Sequence, residues 1–209
     1  MKKLLTIGLI SIGLSASLAE ARFFLGIDLG YDFSGIDGES PNRSGGEKGT
    51  IRFGTELFGH TDLKFHSGVA GLNLGTQHDL NDVFGLRWFF GLSYAQSFNR
   101  GGDLQALNFA LGIDTLFNFT SSFGAFAGIE AAFSAHDYVG KLFASGSKNE
   151  MTNDVGAGAS GRVGLAFIVD ENSRFELTAR IPIMQAVLSR KGGFLHRPLR
   201  FTLGYKYVF

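Results

Sequence analysis

His66 and Ser67 stand side by side in the chain and have the residue types for nucleophilic chemistry, in which an imidazole takes the proton of a hydroxyl that attacks an ester. Neighbours in an extended strand point to opposite faces, which sets the pair apart from a working dyad. Gly156-Ala157-Gly158-Ala159-Ser160-Gly161 matches the phosphate-binding pattern G-x-G-x-x-G. That chemistry needs a helix N-terminus after the turn, whereas an alternating pattern continues here to Val169, so these glycines read as small residues of a strand. Ser145 and Lys148 have S-x-x-K spacing in a Gly/Ser-rich loop, with no K-T-G or S-D-N beside it. His60, His78, His136 and His196 scatter over expected loops and turns without metal-ligand spacing, so neither metal nor cofactor is expected. The chain has 0 Cys, which removes thiolate and disulfide chemistry.

A larger charged set remains. Asp28, Asp32, Asp114, Glu130 and Glu176 face Arg87, Arg162, Arg180, Arg200 and Lys206, and within their segments all fall on the same parity. Buried charges are tolerated when paired, so this parity predicts a lumen charge network.

The elements that must carry it are strands. In the closing stretch, residues 199–209, Phe201, Leu203, Tyr205, Tyr207 and Phe209 form one apolar row, and Arg200, Thr202, Gly204, Lys206 and Val208 the other. A tilted strand of about 9 to 11 residues crosses a bilayer. The same period of two recurs over residues 23–34, 65–77, 84–94, 107–117, 123–133, 157–167 and 174–183. In residues 65–77 the outward row is short and Phe65 has the wrong parity, which predicts a bulge. Long loops at 35–64, 135–154 and 185–197, the first with a short strand of its own near 50–57, alternate with short turns.

These features predict an all-β fold, an eight-stranded antiparallel up-and-down transmembrane β-barrel. None of the outward rows carries a charge, and one Lys or Arg at mid-bilayer costs roughly 2 to 4 kcal/mol. A soluble barrel would invert the rows. Phe23, Phe84, Phe117, Phe123, Phe167, Phe175 and Phe209 all fall at the short-turn end, as one aromatic girdle. An eight-stranded barrel is just wide enough for side chains to fill it, so a plugged interior is expected, with the inward glycines making room for the long arginines.

Residues 1–21 have the two lysines, apolar run and Ala19-Glu20-Ala21 exit of a signal peptide, leaving 22–209 for the barrel. No later stretch is long and apolar enough for a membrane helix. Lys plus Arg and Asp plus Glu are 19 each, so no net field favours nucleic acid. The 30 Gly and 22 Phe, with 3 Pro, argue against a helical protein.

The signal peptide, eight alternating strands and terminal Phe209 resemble the membrane domain of OmpA-type small barrels. The Phe- and Gly-rich strands ending in Tyr205-Lys206-Tyr207-Val208-Phe209 are similar to small outer-membrane proteins of Helicobacter and Campylobacter. The resemblance implies a monomer in the bacterial outer membrane, in contact with outer-membrane lipid and lipopolysaccharide. It implies that the aromatic row Phe201 to Phe209 is the insertion signal met by the barrel assembly machinery. The chain ends at the barrel, so the peptidoglycan-binding domain of full-length OmpA is not expected. Lipid A deacylases of the PagL kind are also eight-stranded barrels and use His, Ser and an acidic residue at the rim. His66 and Ser67 lack that family's H-x-S spacing and its place in the chain. The expected role is therefore structural or in surface interaction through the outer loops, with a lipid A hydrolase and a narrow small-solute channel as the alternatives.

Overall fold

The computed structural model describes residues 21–38, 51–53, 64–98, 102–140, 151–187 and 194–209. The strands are β1 (Arg22–Gly38), β2 (Ile51–Phe53), β3 (Lys64–Asp79), β4 (Phe84–Ser97), β5 (Gly102–Asn118), β6 (Phe123–Gly140), β7 (Met151–Ile168), β8 (Ser173–Val187) and β9 (Phe194–Val208). Each long strand pairs antiparallel with its neighbours in sequence, and β9 pairs with both β8 and β1. Eight strands thus close on themselves. Closure leaves no backbone donor or acceptor facing lipid, which is what a sheet in hydrocarbon requires.

The two faces are inverted relative to a soluble protein. Leu29 and Leu111 are each 64% exposed, Ile129 is 62% exposed and Leu203 60%, while Asp32 and Asp114 are fully buried. The outer rows therefore meet lipid. At the short-turn end, Phe84 packs on Phe117, Phe123 on Phe167, Phe23 on Phe209 and Phe175 on Tyr205, with ring centroids 5.2 to 6.4 Å apart. These rings make the girdle at the membrane boundary. Tight turns close this end: Asn81 accepts from the backbone N–H groups of Val83 and Phe84, and Thr120 from those of Ser122 and Phe123.

The β1–β3 register runs unbroken from Arg22↔Gln77 to Gly35↔Lys64. The bulge expected near Phe65 is therefore absent, because an unbroken ladder holds Phe65 on the inward parity with no extra residue to shift it; its side chain lies outside the described residues. The register shift that does occur is between β7 and β8, where Ser160 faces Pro182 and Ala159 faces Met184. Ile183 is the extra residue. Proline has no N–H for the ladder and is found at such irregularities.

The same proline bears on the next seam. The β8–β9 ladder ends at Arg180↔Arg200, and two rungs further its register would set Pro182 opposite Pro198. Two residues without N–H groups cannot continue it. Beyond that point β9 stays with β1 up to Gly38↔Phe194, and β2 takes the released edge of β8, with Ile51, Arg52 and Phe53 opposite Ala186, Gln185 and Met184. A short strand near 50–57 was expected in this loop from sequence, and β2 falls within that range; its partner was not expected. Residues 1–20 of the expected signal peptide, and most of the expected long loops, fall outside the described residues.

The lumen as candidate functional site

Because inward residues come from every second position of each strand, the register decides which charges meet. Arg87 on β4 is opposite Asp114 on β5 and donates to it from Nε and Nη2 at 3.1 and 2.7 Å. It also reaches across the lumen to pair with Glu176 on β8. Lys206 on β9 lies 3.5 Å from both Glu176 and Asp28. Arg162 on β7 lies 3.7 Å from Asp114 and from Glu130, and Arg180 lies 3.5 Å from Glu130 and 3.9 Å from Asp28. The path returns to its start. Asp28, Lys206, Glu176, Arg87, Asp114, Arg162, Glu130 and Arg180 form one closed ring in which acid and base alternate.

Asp32 and Arg200 stand apart as a two-pronged pair, with bonds of 2.6 and 2.7 Å, and Arg200 also donates to Ser93 at 2.7 Å. All ten charges that the sequence places in the lumen are buried there. One more was missed: Arg174, on the inward row of β8 near the short-turn end, is buried, and its Nε has no hydrogen-bond partner. At the rim of that end, Arg22 pairs with Asp79.

The shortest contacts of the ring are those of Arg87. Near the short turns, Arg87 and Arg162 are packed between inward aromatic rings: Arg162 lies 3.9 Å over Phe89, and Arg87 lies 4.8 Å over Phe126 and 5.6 Å over Phe24. A guanidinium stacked this way has its flat faces covered by carbon and its edges free for carboxylates. The sequence shows Phe24, Phe89 and Phe126 on the inward row, but nothing in the alternation distinguishes them as arginine partners.

The inward glycines have a different role from the one expected. A Cβ on Gly112 would meet the Phe89 ring and one on Gly164 the Phe126 ring, while Gly204 makes way for Asp28 and Gly128 for Asp114. These four make room for the rings and carboxylates that contact the arginines and Lys206, while Gly26 makes way for the Lys206 side chain itself.

Toward the outer end space appears among the pairs. A small cavity of about 10 Å³ is lined by Asp28, Asn73, Ser93, Arg180 and Arg200 among others. A larger vestibule of about 60 Å³ is lined by Asn108, Glu130, Ser134, Ser160, Arg180 and Arg200 among others.

His66 and Ser67 are not brought together. Ser67 is buried in the lumen opposite Asp32, whereas the His66 ring lies on the outer face against Phe33 and bonds to the Tyr31 hydroxyl. The G-x-G-x-x-G glycines lie within β7, with no helix after them. His78 belongs to β3 and is buried, not on a turn. His136 and His196 lie in β6 and β9, their side chains outside the described residues, as are His60, Ser145 and Lys148. Among the described residues there is no His, Cys, Asp and Glu group that could hold a metal.

A closed antiparallel barrel with a lipid-compatible exterior, an aromatic girdle and a charged interior defines an outer-membrane β-barrel protein of the small, OmpA-like class. The chain belongs to the Helicobacter outer membrane protein family, whose model matches residues 71–209, and its location is the bacterial outer membrane. Among solved structures it is similar to Neisserial surface protein A, with a TM-score of 0.57 and 11% identity, over 90% of this chain and 99% of that one. It is also similar to Ail, the attachment invasion locus protein of Yersinia pestis (TM-score 0.45, 13% identity, 89% and 98% coverage). A third is OprG of Pseudomonas aeruginosa (TM-score 0.44, 11% identity, 91% and 96% coverage). No curated protein matches.

Proposed function

We propose that this protein is a non-enzymatic outer-membrane scaffold, closed to through-flow, whose work is done by its extracellular end. The observation that carries the reading is the closed ring of eight alternating charges with Phe24, Phe89 and Phe126 packed into it. An ion passing the ring would have to part these buried pairs.

The extracellular reading draws on strand length. The β6–β7 ladder runs from Phe123↔Phe167 to Val139↔Met151. At ~3.4 Å per residue and a tilt near 40° it rises roughly 40 Å, against an apolar band of about 25 Å. About 15 Å of wall thus stands clear of the membrane as a platform for the loops. On this reading the protein is a monomer held in lipid and lipopolysaccharide and delivered by the barrel assembly machinery.

The test is single-channel recording in planar bilayers. The expected trace has no conductance steps, and steady steps abolished by urea would refute the closed lumen. Lipid A from expressing cells, analysed by mass spectrometry beside cells expressing His66→Ala, should be unchanged in both; loss of an acyl chain with the native protein alone would make it an enzyme.

A further inference from the structure

Arg162, Arg180 and Arg200 occupy directly opposed positions on the adjacent strands β7, β8 and β9. Like charges set opposite each other in neighbouring strands destabilise a sheet, so such a row needs compensating negative charge. Arg200 has it in Asp32, at hydrogen-bond distance. Arg180 has two carboxylates in ion-pair range, Glu130 at 3.5 Å and Asp28 at 3.9 Å, yet it is 8% exposed and its Nε makes no hydrogen bond.

Arg180 and Arg200 are also the two cations lining the vestibule, where Glu130 is the single acid. The lining adds Asn108, whose Nδ2 has no partner, and the hydroxyls of Ser134 and Ser160, which can donate. The buried donors left unpaired here, Arg180 Nε and Asn108 Nδ2, outnumber the unpaired acceptor, Glu130 Oε2, and a buried donor left unpaired is costly.

We propose that the vestibule is a binding site for a small oxyanion, a carboxylate or phosphate group, seated against Arg180 and met by Asn108. The inference goes beyond the scaffold reading and does not depend on it, since the site lies on the outer side of the ring whether or not the ring conducts.

Calorimetric titration of the folded protein in detergent with succinate and, separately, inorganic phosphate tests it, and the tighter of the two identifies the group. Saturable binding of either is expected, with Arg180→Met weakening it about tenfold, as for loss of a charge-assisted contact. Glu130→Gln, which removes the competing carboxylate at constant shape, is expected to tighten binding severalfold. No heat with either anion at 10 mM, taken as about the weakest specific affinity of interest, would overturn the proposal. Equal binding by wild type and Arg180→Met would do the same. If Arg180→Met does not fold, Glu130→Gln decides: tighter binding supports the site, and unchanged or weaker binding refutes it.

Discussion

Replacing Arg87 with methionine retains a long flexible chain at the ring's tightest point and removes its charge. Arg87 gives Asp114 two hydrogen bonds, of 3.1 and 2.7 Å, and pairs with Glu176. After the change, the remaining ion pair of Asp114 is Arg162 at 3.7 Å, and that of Glu176 is Lys206 at 3.5 Å. Two buried carboxylates then lie beyond hydrogen-bond reach of any cation. Removing one partner of a buried pair costs about 3 to 5 kcal/mol. The lost stacking over Phe126 and Phe24 adds about 1 kcal/mol, and methionine sulfur against the same rings returns a similar amount. The expected loss is therefore about 3 to 5 kcal/mol. Urea unfolding from lipid vesicles measures it, followed by the fluorescence of Trp88, the 1 Trp of the chain, which neighbours Arg87 and faces lipid. Adding Glu176→Gln removes one stranded charge and should recover about 1 to 2 kcal/mol, a coupling typical of groups in one network. A loss below about 1 kcal/mol, the range of solvent-exposed pairs, or simple additivity of the two changes would refute the ring as a cooperative unit.

Three other outcomes follow from the same geometry. Leu111→Arg puts a charge on the outer face where the residue is 64% exposed, so it should cost about 2 to 4 kcal/mol in vesicles and much less in short-chain detergent, whose thin layer lets the side chain reach water. Gly112→Val drives a side chain into the Phe89 ring beneath Arg162; overpacking of this kind costs about 1 to 3 kcal/mol, readable as a lower urea midpoint. Phe209→Ala removes ring contacts to Phe23 at 5.8 Å and Tyr207 at 5.0 Å, each worth about 0.5 to 1.5 kcal/mol. Its larger effect should be on the rate of insertion by reconstituted assembly machinery; equal insertion rates for variant and wild type would remove the terminal strand from that role.

Alternation in the chain was enough to establish the strand count, the lipid-facing and lumen-facing rows, the girdle of phenylalanines and the membrane they imply. A period of two assigns every residue to a face, and a charge is too costly in lipid to stand on the wrong one. The parity of the ten lumen charges was legible for that reason. Their partners were not. Arg87 and Glu176 meet across the lumen from strands 89 positions apart, and that meeting depends on the stagger of eight ladders around a closed circle, which the side-chain alternation leaves open. The short segment near 50–57 could be expected as a strand, but its place on β8 exists because the ladder between β8 and β9 ends at Arg180↔Arg200, before the rung at which Pro182 would oppose Pro198. Register and closure, set by backbone hydrogen bonds between segments distant in the chain, turned a row of charges into a ring and left Arg180 facing an open vestibule.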